Sequence, residues 1–316
     1  MADHEKRKNR SRTRPTPSGK RTTITDADVF GIFGPLSRHA QLTTKQIVAF
    51  DRRYPSKTRN RLTDLFHEGK GWLRRSSENV RFANYLSADE LYCLGDDAEA
   101  LLLARGILPA APWVRATRIG GHSTMPSRVL RLAHDHAASH IALDIEIGAR
   151  QAGATFRNHI ELITAAPRRT QSLRNPLRLH VPFVRGAPRW IEPDAVFALG
   201  DRVFAVEADM GTESVSRVIR GKILAYREVV ASGVVDDQLG VDNLRVLFVT
   251  VSEPRMRNIM ALLASIARNG RSTMFAFAAR PDLVDFKRAP APDGRMFREP
   301  WLRVGHEDLR LAEVGQ

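Results

Sequence analysis

Residues 244–251, Leu-Arg-Val-Leu-Phe-Val-Thr-Val, are nearly all apolar, and this run constrains the fold more than any other feature of the chain. A strand with one wet face alternates apolar and polar side chains, whereas a strand apolar at almost every position is covered on both faces, usually by helices. Helical patterns at 213–230 and 254–268 flank the run, and 274–278 reads as a further extended segment. The second half of the chain therefore reads as α/β.

At 316 residues the chain has room for two domains. The net charge of +14, from 49 Lys and Arg against 35 Asp and Glu, favours a polyanionic partner. No apolar run approaches the roughly 18 residues of a membrane span and no apolar leader opens the sequence, so the expectation is a soluble cytoplasmic protein without a membrane partner. Cys93 is the only cysteine. It excludes an internal disulfide and a thiolate zinc site within one chain, and in the strand-like run 90–94 it reads as a small hydrophobe.

Residues 1–22 carry eight Lys and Arg among Ser, Thr and Pro with no apolar periodicity, a basic arm expected to be disordered and either to track phosphates or merely to solubilise. From Asp26 the pattern is helical, with Val29, Ile32, Phe33 and Leu36 on one face. A second helix follows, capped by Thr43 or Thr44, and after Tyr54-Pro55 a third, with Ser56 as its cap. Two extended runs, around Trp72-Leu73-Arg74-Arg75 and Leu91-Tyr92-Cys93-Leu94, complete a winged helix-turn-helix over 23–106. Its third helix is expected to enter the major groove of double-stranded DNA with Lys57, Arg59, Asn60 and Arg61, while the wing offers Arg74 and Arg75 to phosphate. Nine basic residues against three acidic ones between Arg52 and Arg81 support DNA over a protein-interaction module. Winged helices often dimerise, so a homodimer is an expectation whose interface nothing in the sequence identifies.

Residues 107–125, rich in Pro and Gly, read as a linker. A long helix from about 126 to 152 opens the second domain, which runs to 285, and 286–316 reads as a C-terminal extension. Within it come an extended run near 160–163, strands at 193–199 and 203–207 joined by the Gly200-Asp201-Arg202 turn, then helix, strand, helix and strand. Side-chain alternation puts Glu207 and Asp209 on one side of their strand, where Asp194 on the neighbour can meet them. Three such carboxylates could hold Mg²⁺, a hard cation that prefers oxygen ligands. Alternatively, Asp194 caps or shapes the start of its strand, and Glu207 with Asp209 is a polar strand end paired with Arg217 or Arg220.

Pro193-Asp194 and Glu207-Ala208-Asp209 in this element order resemble the PD-(D/E)xK nuclease superfamily, whose αβββαβ restriction-endonuclease-like topology is the expected fold of the second domain. The resemblance implies Asp194 and Glu207 as catalytic acids, with Asp209 as a third metal ligand. Where the superfamily usually has lysine, two residues after the strand's acid, this chain has Asp209. Lys222 on the following helix is the candidate substitute, as in members that relocate the lysine. Ile191-Glu192-Pro193-Asp194, Glu207-Ala208-Asp209-Met210-Gly211-Thr212-Glu213, Lys222, Tyr226, and the apolar strand closing at Ser252-Glu253 together look like the plasmid replication-relaxation family, over roughly residues 27–278. That resemblance implies a DNA-binding protein of a plasmid or mobile element influencing replication or topology. The function expected is regulation of replication, topology or transcription through the winged helix, with a non-catalytic nuclease-like domain. The alternative is a Mg²⁺-dependent endonuclease targeted by the winged helix.

Four further features stay open at this level. Gly211-Thr212-Glu213 reads as a helix start capped by Thr212. Residues 167–190 carry six arginines and no acid, either a phosphate-binding loop beside the acids or a surface loop. His134, His136 and His140 lie on the long helix, His136 and His140 at metal-binding spacing, but the neighbouring alanines favour ordinary packing over zinc. Asp144 or Glu146 could add an acid from the same helix.

Overall fold

A computed structural model describes residues 22–68, 71–75, 90–121, 128–286 and 288–314. The basic arm and the turn at 76–79 lie outside them.

The N-terminal half opens with a helix in three segments, Asp26–Asp28, a π-helical Val29–Phe33 and Gly34–Arg38, together α1. Strand β1 (Leu42–Thr43) leads into α2 (Thr44–Phe50), then α3 (Pro55–His67), β2 (Leu73–Arg75) and β3 (Leu91–Leu94). These strands form a three-stranded antiparallel sheet in the order β1-β3-β2. Thr43 caps α2 in a reciprocal box with Gln46: the Gln46 amide donates to Thr43 Oγ1 at 3.2 Å and Gln46 Oε1 accepts from the Thr43 amide at 2.9 Å. The cap of α3 is Tyr54, not Ser56, because Pro55 takes the first helical position, where its missing N–H costs nothing.

Asp28 binds this half together. Fully buried, it accepts from Arg61 Nε at 2.9 Å, Arg61 Nη2 at 2.6 Å and Arg53 Nη1 at 2.8 Å, and also from the Thr25 amide and hydroxyl. Burial works to raise its carboxyl, but the Arg61, Thr25 and Arg53 donors outweigh that and hold it at about 2.

After α4 (Asp96–Ala104) the stretch expected to be a linker is packed. Trp113 and Val114 on α5 (Trp113–Ala116) are buried, and Ile119 forms a parallel bridge with His39. Apolar side chains at these positions gain more from burial than a Pro- and Gly-rich composition suggests.

Helix α6 (Arg128–Ala152) crosses one face of a seven-stranded sheet whose order is β12-β11-β10-β9-β8-β7-β4. Its edge strand β4 (Phe156–Asn158) precedes the run expected to be extended at 160–163, which is instead α7 (His159–Ala165). A capping box explains the difference: Asn158 Oδ1 accepts from the Ile160 and Glu161 amides, and Glu161 accepts in turn from the Asn158 amide at 2.8 Å. After the short α8 (Arg168–Gln171), β5 (Leu179–His180) and β6 (Trp190–Ile191) form a separate two-stranded hairpin.

Strands β7 (Ala195–Leu199) and β8 (Arg202–Asp209) are antiparallel across the expected turn, and β4 is antiparallel to β7. A π-helical Val215–Ile219 leads into α9 (Arg220–Ala231), followed by α10 (Val234–Leu239). The helical run starts after Ser214 rather than at Thr212. Strand β9 (Leu244–Thr250) lies parallel to β8 and is buried at nearly every position, as its composition requires. Helix α11 (Glu253–Ile266) returns the chain to β10 (Phe275–Ala279), parallel to β9.

Two further strands join the sheet after β10. After α12 (Arg295–Arg298), β11 (Pro300–Arg303) and β12 (His306–Arg310) extend it antiparallel from β10, with Trp301, Leu309 and Leu311 buried. Asp144 on α6 explains how this segment is held: its carboxylate accepts from the amides of Asp293, Gly294 and Met296 at 2.7, 2.9 and 2.6 Å. That occupation removes Asp144 from the candidate acids.

The halves share one hydrophobic core and a polar seam. Arg38 on α1 pairs with Glu146 on α6 at 3.0 Å with both side chains largely buried, and the Arg150 guanidinium lies 4.3 Å from the centre of the Phe50 ring. Among the described residues no helix is long and apolar enough to cross a membrane.

Candidate functional site

Two surfaces hold the side chains picked out in the sequence. On α3, which packs against α2 and β2, Thr58, Leu62 and Leu65 are buried, so the opposite face is open and carries Lys57, Arg59 and Asn60, all exposed. Arg61 differs. Its guanidinium is turned onto Asp28 and the Thr23 carbonyl, which removes it from the open face. Of the wing pair, Arg74 is exposed but reaches Asp96 at 3.4 Å and the Leu94 carbonyl at 3.2 Å. Arg75 lies inward, 4.3 Å from the Phe66 ring centre and 3.5 Å from Glu90.

The second surface is acidic. Ala195 pairs with Val206, and the Asp194 amide donates to the Val206 carbonyl at 3.0 Å, so continuing the register sets Asp194 beside Glu207 on the same face. Asp194 Oδ2 accepts from the Ala208 amide at 2.8 Å. Helix α9 supplies Lys222 and Tyr226 at i, i+4 spacing, and both grip one carboxylate. Lys222 Nζ lies 3.0 Å from Glu207 Oε2 and 3.0 Å from Glu213 Oε2, while the buried Tyr226 hydroxyl donates to Glu207 Oε1. The lysine on the helix thus reaches the acid at the end of β8.

His134 on α6 completes the cluster from the other side, with Nε2 3.4 Å from Asp194 Oδ1. Burial works against its protonation, but Asp194 and Asp135 outweigh burial and raise it to about 10, so the imidazolium persists at neutral pH. Burial would raise the Asp194 carboxyl, yet His134 and Lys222 hold it below the usual range. Glu207 is raised, first by burial and then by Asp194, more than Lys222 and Tyr226 can offset. Burial disfavours the Lys222 ammonium, but Glu207, Asp194 and Glu213 override it and raise its pKa.

Asp209 does not join. Arg255 at the start of α11 clamps it, Nη2 to Oδ1 at 2.8 Å with Nε on the other oxygen, and the same guanidinium holds the Glu213 carbonyl at 2.6 Å. Among the described residues, no three His, Cys, Asp or Glu side chains are arranged to hold a metal ion. Each of the expected Mg²⁺ ligands faces a cation of the chain itself: Asp194 faces His134, Glu207 faces Lys222 and Asp209 faces Arg255.

His136 and His140 are buried and uncharged, both driven down to about 3 by burial. Cys93 is half-buried on β3, its thiol raised by burial. Sequence reasoning misses His134 as a partner of Asp194 and Arg255 as a partner of Asp209; no local pattern marks either, since both act across the fold.

A family model described as replication-relaxation matches residues 33–243, two thirds of the chain. Comparisons with curated proteins and with solved structures returned no match.

Proposed function

The chain belongs to the replication-relaxation family, and from that premise we propose that it is a DNA-binding protein of a plasmid or mobile element, acting on replication, topology or transcription. Helix α3 is the reader. The observation that carries this is the open face of Lys57, Arg59 and Asn60 on a helix packed against α2 and β2, which supports a winged helix-turn-helix reading. In that reading the two cations meet phosphate or guanine, and the Asn60 amide suits an adenine edge. In the same reading the second half is a nuclease-like domain, supported by antiparallel β4, β7 and β8 with β9 returning parallel to β8 after α9. With its acids neutralised by Lys222, His134 and Arg255, it serves as a scaffold and DNA grip rather than a catalyst.

A gel shift with duplex DNA at two salt concentrations tests the reader. Lys57→Ala/Arg59→Ala is expected to weaken binding by about tenfold or more and to flatten the log-log salt slope by roughly 1.8, about 0.9 for each phosphate that is no longer neutralised. Both side chains are exposed, so thermal stability should not change. Equal affinity and slope would refute the reading. Arg61→Ala is unsuited to this experiment, since Arg61 holds Asp28.

A second reading, Mg²⁺-dependent endonuclease, draws on one observation, the adjacency of Asp194, Glu207 and Lys222. Supercoiled plasmid incubated with protein and Mg²⁺ decides between them. The scaffold reading expects the plasmid unchanged; nicking by the wild type that disappears in both Asp194→Asn and Glu207→Gln would replace it with the enzyme.

A further inference from the structure

Residues 168–189 place six arginines on the surface without one acidic residue, and every one of them is exposed. Arg169 is tethered to Asp237 at 3.2 Å; Arg185 and Arg189 pair with no described carboxylate. The segment is ordered by backbone pairing. Leu179 and His180 register with Ile191 and Trp190, and the Val181 amide donates to the Arg189 carbonyl at 2.9 Å. At the tip Phe183 is 97% exposed, which leaves a full aromatic ring in water with none of the described residues over it. Trp190 is half-exposed and braced, with His180 edge-on at 4.9 Å and the Arg178 guanidinium 5.2 Å from its ring centre.

This hairpin stands beside the acidic cluster. Trp190 and Ile191 lead within three residues to Asp194, and the tip packs on the start of α9: a Cβ at Gly221 would lie 2.9 Å from the Gly186 carbonyl oxygen and 3.5 Å from Pro188. Lys222, whose ammonium pairs with Glu207 in that cluster, is the next residue. An acid-free run of arginines fits a polyanion, and an unsupported ring on such a surface fits a partner with an exposed π-face. Paired DNA hides its base faces in the stack; unpaired or unstacked DNA does not.

We infer that the β5–β6 hairpin is a second nucleic-acid contact that grips unpaired DNA beside the Asp194–Glu207–Lys222 cluster, with Phe183 as a stacking platform for a base and Arg185 and Arg189 on the phosphates. The inference extends the DNA-binding reading but uses residues remote in sequence from α3, so the two fail separately.

The test uses the full chain with three probes: a single-stranded oligonucleotide of about 20 nucleotides carrying 2-aminopurine, the matching duplex, and phosphatidylglycerol vesicles. Phe183→Ala is expected to lower single-strand affinity by about tenfold and to abolish quenching of the 2-aminopurine, with duplex affinity unchanged. Arg185→Gln/Arg189→Gln should flatten the single-strand salt slope by about 1.4, at about 0.7 for each phosphate. Lys57→Ala/Arg59→Ala should leave single-strand binding intact. A wild type that binds duplex but not single strand would overturn the inference while sparing the α3 reading, and so would undiminished single-strand binding by Phe183→Ala. Phe183-dependent binding to the vesicles with no effect on DNA would assign the hairpin to a membrane surface and overturn it as well.

Discussion

Lys222→Met is expected to destabilise the protein by roughly 3 kcal/mol at neutral pH, the lower end of the range for breaking a buried ion pair, because the lysine itself is partly exposed. Methionine keeps the aliphatic stem and removes only the ammonium. Glu207, 2% exposed, is then left with Asp194 alongside it across β7 and β8 and only the Tyr226 hydroxyl as donor. The pH dependence identifies the cause. Glu207 is already raised by burial and Asp194, and losing Lys222 raises it further. Between the unfolded value of about 4.3 and that raised value, the folded variant binds more protons than the unfolded chain. Its stability therefore falls as pH rises through this window and recovers as pH is lowered. Urea unfolding of wild type and variant at pH 5 and pH 8 should show a smaller gap at pH 5. Adding Glu207→Gln should recover much of the loss, whereas a gap independent of pH and of Glu207 would mean that the lysine acts through packing alone.

Asp28→Ala carries the second large effect. The carboxylate is fully buried and tied to two arginines, and it sits at about 2 against an ordinary value of 3.8. A depression of this size corresponds to roughly 2 kcal/mol of linked stability, which already contains the bond from Asp28 to the Thr25 amide that caps the first turn of α1. Since the folded value lies below the unfolded one, that contribution is complete above about pH 4 and disappears as pH falls through about 2. The difference between wild type and Asp28→Ala in urea midpoint should thus be full at pH 7 and clearly reduced at pH 3. A constant difference would assign the loss to helix capping without the ion pairs.

Much of the acidic cluster is legible in the sequence. Asp194 and Glu207 stand at the ends of two strands joined by a turn with glycine at its start, so one register makes them neighbours, and Lys222 with Tyr226 four residues on share a helix face. Local pattern says nothing of competition for partners. Asp209 has the same alternation as Glu207 and reads as a third ligand, yet Arg255, 46 residues away in sequence, claims it. Arg61 has the same local setting as Arg59, and only Asp28, 33 residues upstream, distinguishes them. The segment at 160–163 reads as extended because its apolar run is short; the Asn158 and Glu161 capping box is the local signal that a helix begins there.

Taken alone, the sequence determined several elements: the doubly covered strand at Leu244–Thr250, the three N-terminal helices, and the two strands joined at Gly200 that end in acids. Those properties follow from periodicity, caps and turns, which act within a few residues. Only the tertiary structure decided which charges stay open to a partner and which are spent internally, how Pro- and Gly-rich 107–121 and the last strands join the body of the molecule, and that a hairpin of arginines lies next to Lys222. Ion pairs and burial are settled by distance in space, and a folded chain brings together residues whose separation along it carries no information about that distance.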